Sequence, residues 1–181
     1  MRRLQLSFAA LLGALLLAAV APATAVPLAP VAAISSATSA AGVASANAAH
    51  RAVSGFRAQS RQDLSGFLTN YGDRLTAEQN ERAEALIAKA DLTLAQLEAK
   101  TRTTRALARS GAIDTRVQQA ADAASRAFDT ASASTAAALA EMQPLLRSKL
   151  SLFEGLQAKL LLDQSMRDFA AVGAAVKSVR P

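Results

Sequence analysis

The stretch Thr76–Arg109 contains neither Pro nor Gly, and its apolar and small residues recur at alternating spacings of four and three. That spacing places them along one narrow stripe of an α-helix, so it predicts a single long helix packed against another helix. At 1.5 Å per residue this helix is roughly 50 Å long, and its packing partners must therefore also be long helices. The stripe consists of Ala83, Ile87, Ala90, Leu94, Leu97, Thr101, Thr104 and Ala108.

Both ends of this helix carry local signals. Thr76 and Gln79 have the identities and spacing of a capping box, in which each side chain bonds to the backbone N–H of the other residue. The first turns are acidic and the last turns basic, as the helix dipole favours. Ser110-Gly111 then supplies a stop. The acidic residues are Glu78, Glu81 and Glu84, and the basic ones are Lys100, Arg102, Arg105 and Arg109.

The N-terminus has the three parts of a secretion signal: the charged start Met1-Arg2-Arg3, the apolar run 4–20 and the small-residue site Ala23-Thr24-Ala25. We therefore expect a cleavable signal peptide over 1–25, cut near Ala25, and a periplasmic or secreted protein. An uncleaved membrane anchor is the alternative, but Pro22 before the cleavage site favours removal. The chain has no Cys, which excludes both a lipoprotein anchor at this site and stabilisation by disulfides.

Composition indicates helix-on-helix packing for the remainder. Aromatic residues make up 4% of the chain and Trp is absent, whereas Ala and other helix formers abound. Removal of Arg2 and Arg3 with the leader leaves 18 basic and 14 acidic residues, a net charge of +4. This mild excess of positive charge is compatible with an anionic envelope surface as a partner but does not require one.

The mature chain divides into residues 26–47, an Ala/Ser-rich segment without charge, and residues 48–179, a helical domain. We expect 26–47 to be a flexible tether, with a weak helix as the alternative. A turn or kink is expected at Pro144, because Pro interrupts helix interiors. The predicted fold is all-α, an elongated antiparallel bundle of about four helices. The alternative is a kinked helical hairpin that completes its core by dimerisation, since Ala-rich seams specify register weakly.

Large apolar residues concentrate in the last predicted helix, which should therefore supply most of the core. The residues expected to face inward are Leu146, Leu150, Phe153, Leu156, Leu160, Met166, Phe169, Val172 and Val176. Leu160-Leu161-Leu162 is apolar around more than one face, which indicates either a central position or a partner surface. The third helix should pack on the second through Ile113, Val117, Ala120, Ala124, Phe128, Ala131, Thr135, Ala138 and Met142.

The residues that perform chemistry in enzymes are scarce. The single His, His50, lies at the predicted tether boundary and is expected to be solvated, and no Cys is present. Glu78, Glu81 and Glu84 form the closest carboxylate set, but they are accounted for by capping and dipole compensation. Neither a Gly-rich phosphate loop nor a nucleophile elbow occurs. We therefore expect no enzyme activity, no cofactor and no metal site.

The densest basic cluster lies at the end of the long helix and continues across the turn. It comprises Lys100, Arg102, Arg105, Arg109 and Arg116. These residues are the candidate contact for an anionic partner, although a solvated helix C-terminus would look the same. Nucleic-acid binding would need more charge or interleaved aromatic residues, so no nucleic-acid partner is expected.

Leu75-Thr76-Ala77-Glu78-Gln79 resembles the LTxxQ motif of small all-α periplasmic proteins of the Spy/CpxP type. That family has a secretion leader and long helices that form a dimeric cradle, and it is associated with chaperoning or envelope stress sensing. The resemblance implies the same for this chain. It covers these residues alone, because a second LTxxQ and the Met- and His-rich character of the family are missing.

Taken with the leader, these features predict a non-enzymatic helical protein of the envelope or the extracellular space that acts by binding a protein partner or client. It could be chaperone-like or stress-related, and it could be a homodimer. The alternative is an amphipathic protein of the membrane surface that binds lipid, for which Leu145–Leu162 has bulky apolar residues among basic ones.

Overall fold

The computed structural model describes residues 31–147 and 149–180. They form four α-helices: α1 (Val31–Tyr71), α2 (Ala77–Arg109), α3 (Asp114–Arg147) and α4 (Leu152–Lys177). A short 3-10 helix, Gly72–Arg74, connects α1 to α2, and the described residues contain no strand. The all-α prediction is confirmed, while the predicted signal peptide lies outside the described residues.

The four helices form an up-and-down bundle. α1 packs against α2 and α4, and α3 packs against α2 and α4, so each helix has two neighbours in the bundle. Short connections make successive helices antiparallel. The chain completes this core by itself, and the alternative fold, a kinked hairpin that needs a second chain to cover its core, is not the one observed.

Three aromatic rings from three helices meet at the centre of the core. The Phe169 ring of α4 lies between Phe56 of α1 and Phe128 of α3, with ring centroids 4.9 and 5.0 Å apart respectively. Leu97 of α2 is fully buried in the same cluster. Aromatic contacts of this kind add to the free energy of burial, so they help to hold α1, α3 and α4 together at this level.

The long helix α2 has the predicted ends. Thr76 Oγ1 accepts from the Gln79 N–H, and Gln79 Oε1 accepts from the Thr76 N–H, which completes the capping box. After the helix, Gly111 adopts a left-handed conformation with φ of 67°, which Gly tolerates without steric cost. The predicted start and stop of α2 are therefore both confirmed.

The stripe of α2 is confirmed except at its centre, where Leu86 is buried and Ile87 and Ala90 are half-buried. Thr101 and Thr104 are buried because each hydroxyl donates to a backbone carbonyl of the preceding turn, Thr101 to Glu98 and Thr104 to Lys100. With these bonds made, burying the two hydroxyls costs little free energy.

The tether prediction is wrong for residues 31–47, which belong to α1. Ala46 and Ala49 are each 1% exposed and lie in the main core cluster beside Val176 and Val179. Small side chains let α1 approach its neighbours closely, and this packing stabilises a helix that its sequence alone does not demand. Residues 26–30 lie outside the described part of the chain.

A turn or a kink was expected at Gln143-Pro144, and the turn is not observed there. α3 continues through Pro144 to Arg147. Pro144 is exposed and stands within the last turn of α3, where the loss of one backbone hydrogen bond affects few residues beyond it. The next helix begins at a second capping box, in which Ser151 Oγ accepts from the Glu154 N–H and the Glu154 carboxylate accepts from the Ser151 N–H.

The inward face predicted for the fourth helix is correct only in its C-terminal half. Phe169, Val172 and Val176 are buried, but the five large apolar residues Leu152, Phe153, Leu156, Leu160 and Leu161 are exposed, and Met166 is 40% exposed. In the N-terminal half, Glu154, Gly155, Ala158 and Ser165 are half-buried. Ile113, predicted to start the seam of α3, is exposed as well.

Candidate interaction surfaces

The most exposed apolar surface of the described residues lies on the first half of α4. We name Leu152, Phe153, Leu156, Leu160 and Leu161 the α4 apolar face. Their exposed fractions are 85%, 69%, 55%, 68% and 65%. Single exposed apolar residues are ordinary, whereas several large ones close together along one helix are unusual and make this face the candidate interaction surface.

Helix geometry explains why these residues point outward together. At 100° per residue, Phe153, Leu156 and Leu160 fall on one stripe, about half a turn away from the stripe of Phe169 and Val176. The buried stripe sets the rotation of α4 about its own axis. Its first half must therefore turn the larger residues away from the bundle and leave Gly155, Ala158 and Ser165 inward.

The start of the face is fixed to the bundle by an ion pair. Arg74, in the connection after α1, donates to the Glu154 carboxylate at 2.9 Å. The Arg74 hydrogen bond, together with those from the Ser151 side chain and N–H, lowers the pKa of Glu154 to about 2. Glu154 is thus ionised at neutral pH and holds both the helix cap and the contact to Arg74.

The basic cluster predicted at the end of α2 divides between two edges of that helix. Arg102, Arg105 and Arg109 lie on the edge beside α1, because at 100° per residue they fall on the same side of the buried stripe as Glu98, which accepts from Ser54 and Arg57 of α1. Lys100 falls on the other side of the buried stripe of Thr101 and Thr104. We name Arg102, Arg105 and Arg109 the basic edge. Arg116 is exposed near the start of α3.

Most of the charge in this region is free to meet solvent or a partner. Arg102 donates to Glu98 at 3.4 Å, and its side chain is 61% exposed. Arg109 is exposed and Arg105 is half-buried. An exposed ion pair of this length contributes little to stability, so Arg102 can exchange it for another anion at low cost.

His50 is not solvated, contrary to the prediction. It is 8% exposed and faces α2, with its Nδ1 3.3 Å from Thr101 Oγ1. Because the Thr101 hydroxyl donates to the Glu98 carbonyl, its lone pair accepts from Nδ1–H of His50. Burial and the nearby Arg105 lower the pKa of His50; Glu98 raises it and Arg102 lowers it further. His50 is a packed core residue.

A network of ion pairs joins α1 to α2 in the part of α1 that follows His50. Arg57 donates to both carboxylate oxygens of Asp91, at 2.9 and 3.1 Å, and to Glu98 at 2.7 Å. Arg61 also donates to both oxygens of Asp91, at 2.8 and 2.7 Å. These bonds hold the pKa of Asp91 far below its usual range, with Arg57 the largest cause. The network fixes the register of α1 on α2, and sequence spacing gave no sign of it.

The described residues offer little for chemistry on a small molecule. Among them no three His, Cys, Asp or Glu side chains are grouped as metal ligands would be. The space enclosed by Ala46, Thr101, Ala121 and Val176 has no room for a water molecule. None of the described helices is long and apolar enough to cross a membrane.

No family model, no curated protein and no solved structure matches this chain. Within the α4 apolar face, Phe153, Leu156 and Leu160 were expected to lie in the core but are exposed, while a partner surface was one of the two interpretations of Leu160-Leu161-Leu162. The signal for it was present in Leu160-Leu161-Leu162 and in Leu152-Phe153, where apolar residues occupy more of the helix circumference than one buried stripe can use.

Proposed function

We propose that this chain is a non-enzymatic binding protein of the periplasm or the extracellular space, exported by residues 1–25 and acting through the α4 apolar face. Its partner is a protein, in the manner of an envelope chaperone or stress-related factor. The observation that carries the proposal is the outward position of Phe153, Leu156 and Leu160 on a helix whose other half is buried.

Two features of the bundle suit this role. The ion pair between Arg74 and Glu154 lies at the start of α4 and the aromatic contacts of Phe169 lie beyond the face, so the face stands between two contacts with the rest of the bundle. A rigid apolar helix face is a recurring mode of protein recognition, because little entropy is lost when it binds.

The test is the suppression of aggregation of a reduced, unfolded client such as α-lactalbumin. We expect the wild-type protein to slow aggregation and Leu156→Lys to lose most of this effect. Leu92→Lys is the matched control, because Leu92 is 59% exposed and Leu156 is 55% exposed, on different helices. Equal activity of the wild type and Leu156→Lys would remove the α4 apolar face from the proposal.

A membrane-surface protein is the second candidate, favoured by the position of Lys149 and Lys159 beside the same bulky apolar residues. On this proposal the face enters the acyl region of a bilayer. Flotation with vesicles of anionic lipid would detect it, and binding should weaken in Leu156→Lys. Absence of flotation at low salt would exclude this candidate.

A further inference from the structure

We propose that the α4 apolar face pairs with the same face of a second copy of this chain, in an antiparallel arrangement about a two-fold axis near Leu156. This inference rests on the proposed function: a second copy covers the face in the absence of a client, and a client must displace that copy to reach it. The size of the face, the net charge around it and the order of the charged residues along the chain all favour this pairing.

The area of the face is the first ground for this pairing. Leu152, Phe153, Leu156 and Leu160 lie within about 100° of one another around α4 and are each more than half exposed, whereas Leu161 lies on the opposite side of the helix from Leu152. These four residues form a patch on the order of 300–600 Å², the size of the largest apolar patch on a typical monomer. With the polar residues at its edges, an interface centred on this patch can reach the ~800 Å² that each partner contributes to a stable interface.

The net charge of the segment around the face separates a protein partner from an anionic membrane. Residues 149–168 carry three basic and three acidic side chains, so their net charge is zero at neutral pH. Binding to anionic lipid relies on an excess of basic residues beside the apolar ones. A surface with balanced charges complements a copy of itself instead.

The order of the charges along the chain indicates the direction of the pairing. Lys149 stands before the first apolar residue and Asp163 after the last, and both are exposed. Lys149 lies in the turn before α4, and in an antiparallel pair about an axis near Leu156 this turn of one copy comes beside the segment of the other copy that carries Asp163. A parallel pair would place Lys149 beside Lys149. The sequence of charges therefore selects the antiparallel arrangement, which the helix dipoles also favour.

Sedimentation of the purified protein tests the stoichiometry. We expect twice the mass of one chain, and the mass of one chain for Leu156→Lys. Leu92→Lys should remain dimeric, and circular dichroism should show the same helix content for all three proteins. A wild-type protein with the mass of one chain across the micromolar range would overturn the inference.

Cross-linking tests the geometry, and the chain suits it because it contains no Cys. In Leu156→Cys the two introduced thiols should lie within reach of a short bismaleimide across the axis, so a covalent dimer forms at low protein concentration. Leu92→Cys should give none. A dimer by sedimentation that fails to cross-link at position 156 would overturn the assignment of the interface to this face.

Charge exchange tests the direction. The Lys149→Glu substitution brings two negative charges together at each of the two symmetry-related contacts with Asp163. It should raise the dissociation constant of the dimer roughly tenfold. Adding Asp163→Lys should restore it. No recovery in the double variant would contradict the antiparallel register.

The aggregation assay distinguishes failure of this inference from failure of the proposed function. A monomeric wild type whose client protection is lost in Leu156→Lys would overturn the pairing and keep the α4 apolar face as a client surface. A monomeric wild type that floats with anionic vesicles would overturn it in favour of lipid. A monomer with neither property would overturn both proposals.

Discussion

The Phe128 ring of α3 lies against the backbone of Gly173 in α4, in the space that a side chain at position 173 would occupy. Gly173→Ala would drive a methyl group into that ring. Although Ala favours a helix over Gly by about 1 kcal/mol, overpacking of a core costs about 1–3 kcal/mol. We therefore expect a net loss of stability, measured as a lower urea midpoint.

Gly155 provides the matched control on the same helix. A Cβ at position 155 would meet no atom within 4 Å. Gly155→Ala should therefore stabilise the protein by roughly 0.5–1 kcal/mol through helix propensity alone. If both variants changed the urea midpoint in the same direction, the close contact between α3 and α4 would be wrong.

The sequence was informative where structure is determined locally. The ends of α2 depend on Thr76, Gln79 and Gly111, whose side chains and backbone act within a few residues of themselves, and these ends were predicted correctly. The capping box of Ser151 and Glu154 has the same local character and could have been found in the same way. Choosing it over Pro144 would have placed the start of α4 correctly.

The rotation of α4 could not be read from the sequence, because it depends on distant packing. α4 carries two apolar stripes, and the contacts of Phe169 with Phe56 and Phe128 decide which of them is buried. The same holds for residues 31–47, whose helix depends on close packing of Ala46 and Ala49 against other helices. The core assignment of Phe153, Leu156 and Leu160 was wrong for this reason, since local periodicity gives a stripe but not the direction in which it points.

His50 predicts a pH dependence that can be assigned to one residue, because the chain contains a single His. Burial and Arg105 lower its pKa in the folded protein, so the unfolded chain binds the proton more tightly. The free energy of unfolding should therefore fall as pH drops below about 6.5 and level off below the folded pKa. Urea titrations between pH 7.5 and 5 would measure this fall.

The control for this prediction is His50→Asn, which keeps an N–H donor toward Thr101 and does not titrate. Its stability should change much less over the same pH range. An NMR titration of His50 in the folded protein gives a direct check, and a pKa at or above 6.5 would contradict the prediction.

The ion-pair network on α1 and α2 predicts a second effect on stability. Asp91 accepts four hydrogen bonds from Arg57 and Arg61, and its side chain is 24% exposed. Asp91→Asn should lower the free energy of unfolding by about 1–2 kcal/mol, because hydrogen bonds to charged groups are the stronger ones. Asp63→Asn, at an exposed position bonded only within α1, should change it little.

The same network sets the response to acid. The pKa of Asp91 is lowered in the folded state, so its contribution is complete above about pH 4 and is lost as pH falls through the folded pKa. Asp91→Asn should therefore flatten the loss of stability below pH 4. A wild-type slope that persisted unchanged in the variant would assign that loss to other carboxylates.

The basic edge predicts how the protein would respond to an anionic partner. Arg102 and Arg109 are exposed on the same side of α2, whereas Arg126 is exposed on α3. If the edge contacts anionic head groups, Arg102→Glu with Arg109→Glu should weaken binding to anionic vesicles by roughly fivefold or more for each charge removed at low salt. Arg126→Glu reverses one charge on α3 as the control. It should weaken vesicle binding less than each reversal on the basic edge does. Since surface attraction is screened by salt, the difference in binding between the variants should disappear near 0.5 M salt. If every charge reversal weakened binding equally, the vesicles would be responding to the net charge of the protein and not to a contact at the basic edge.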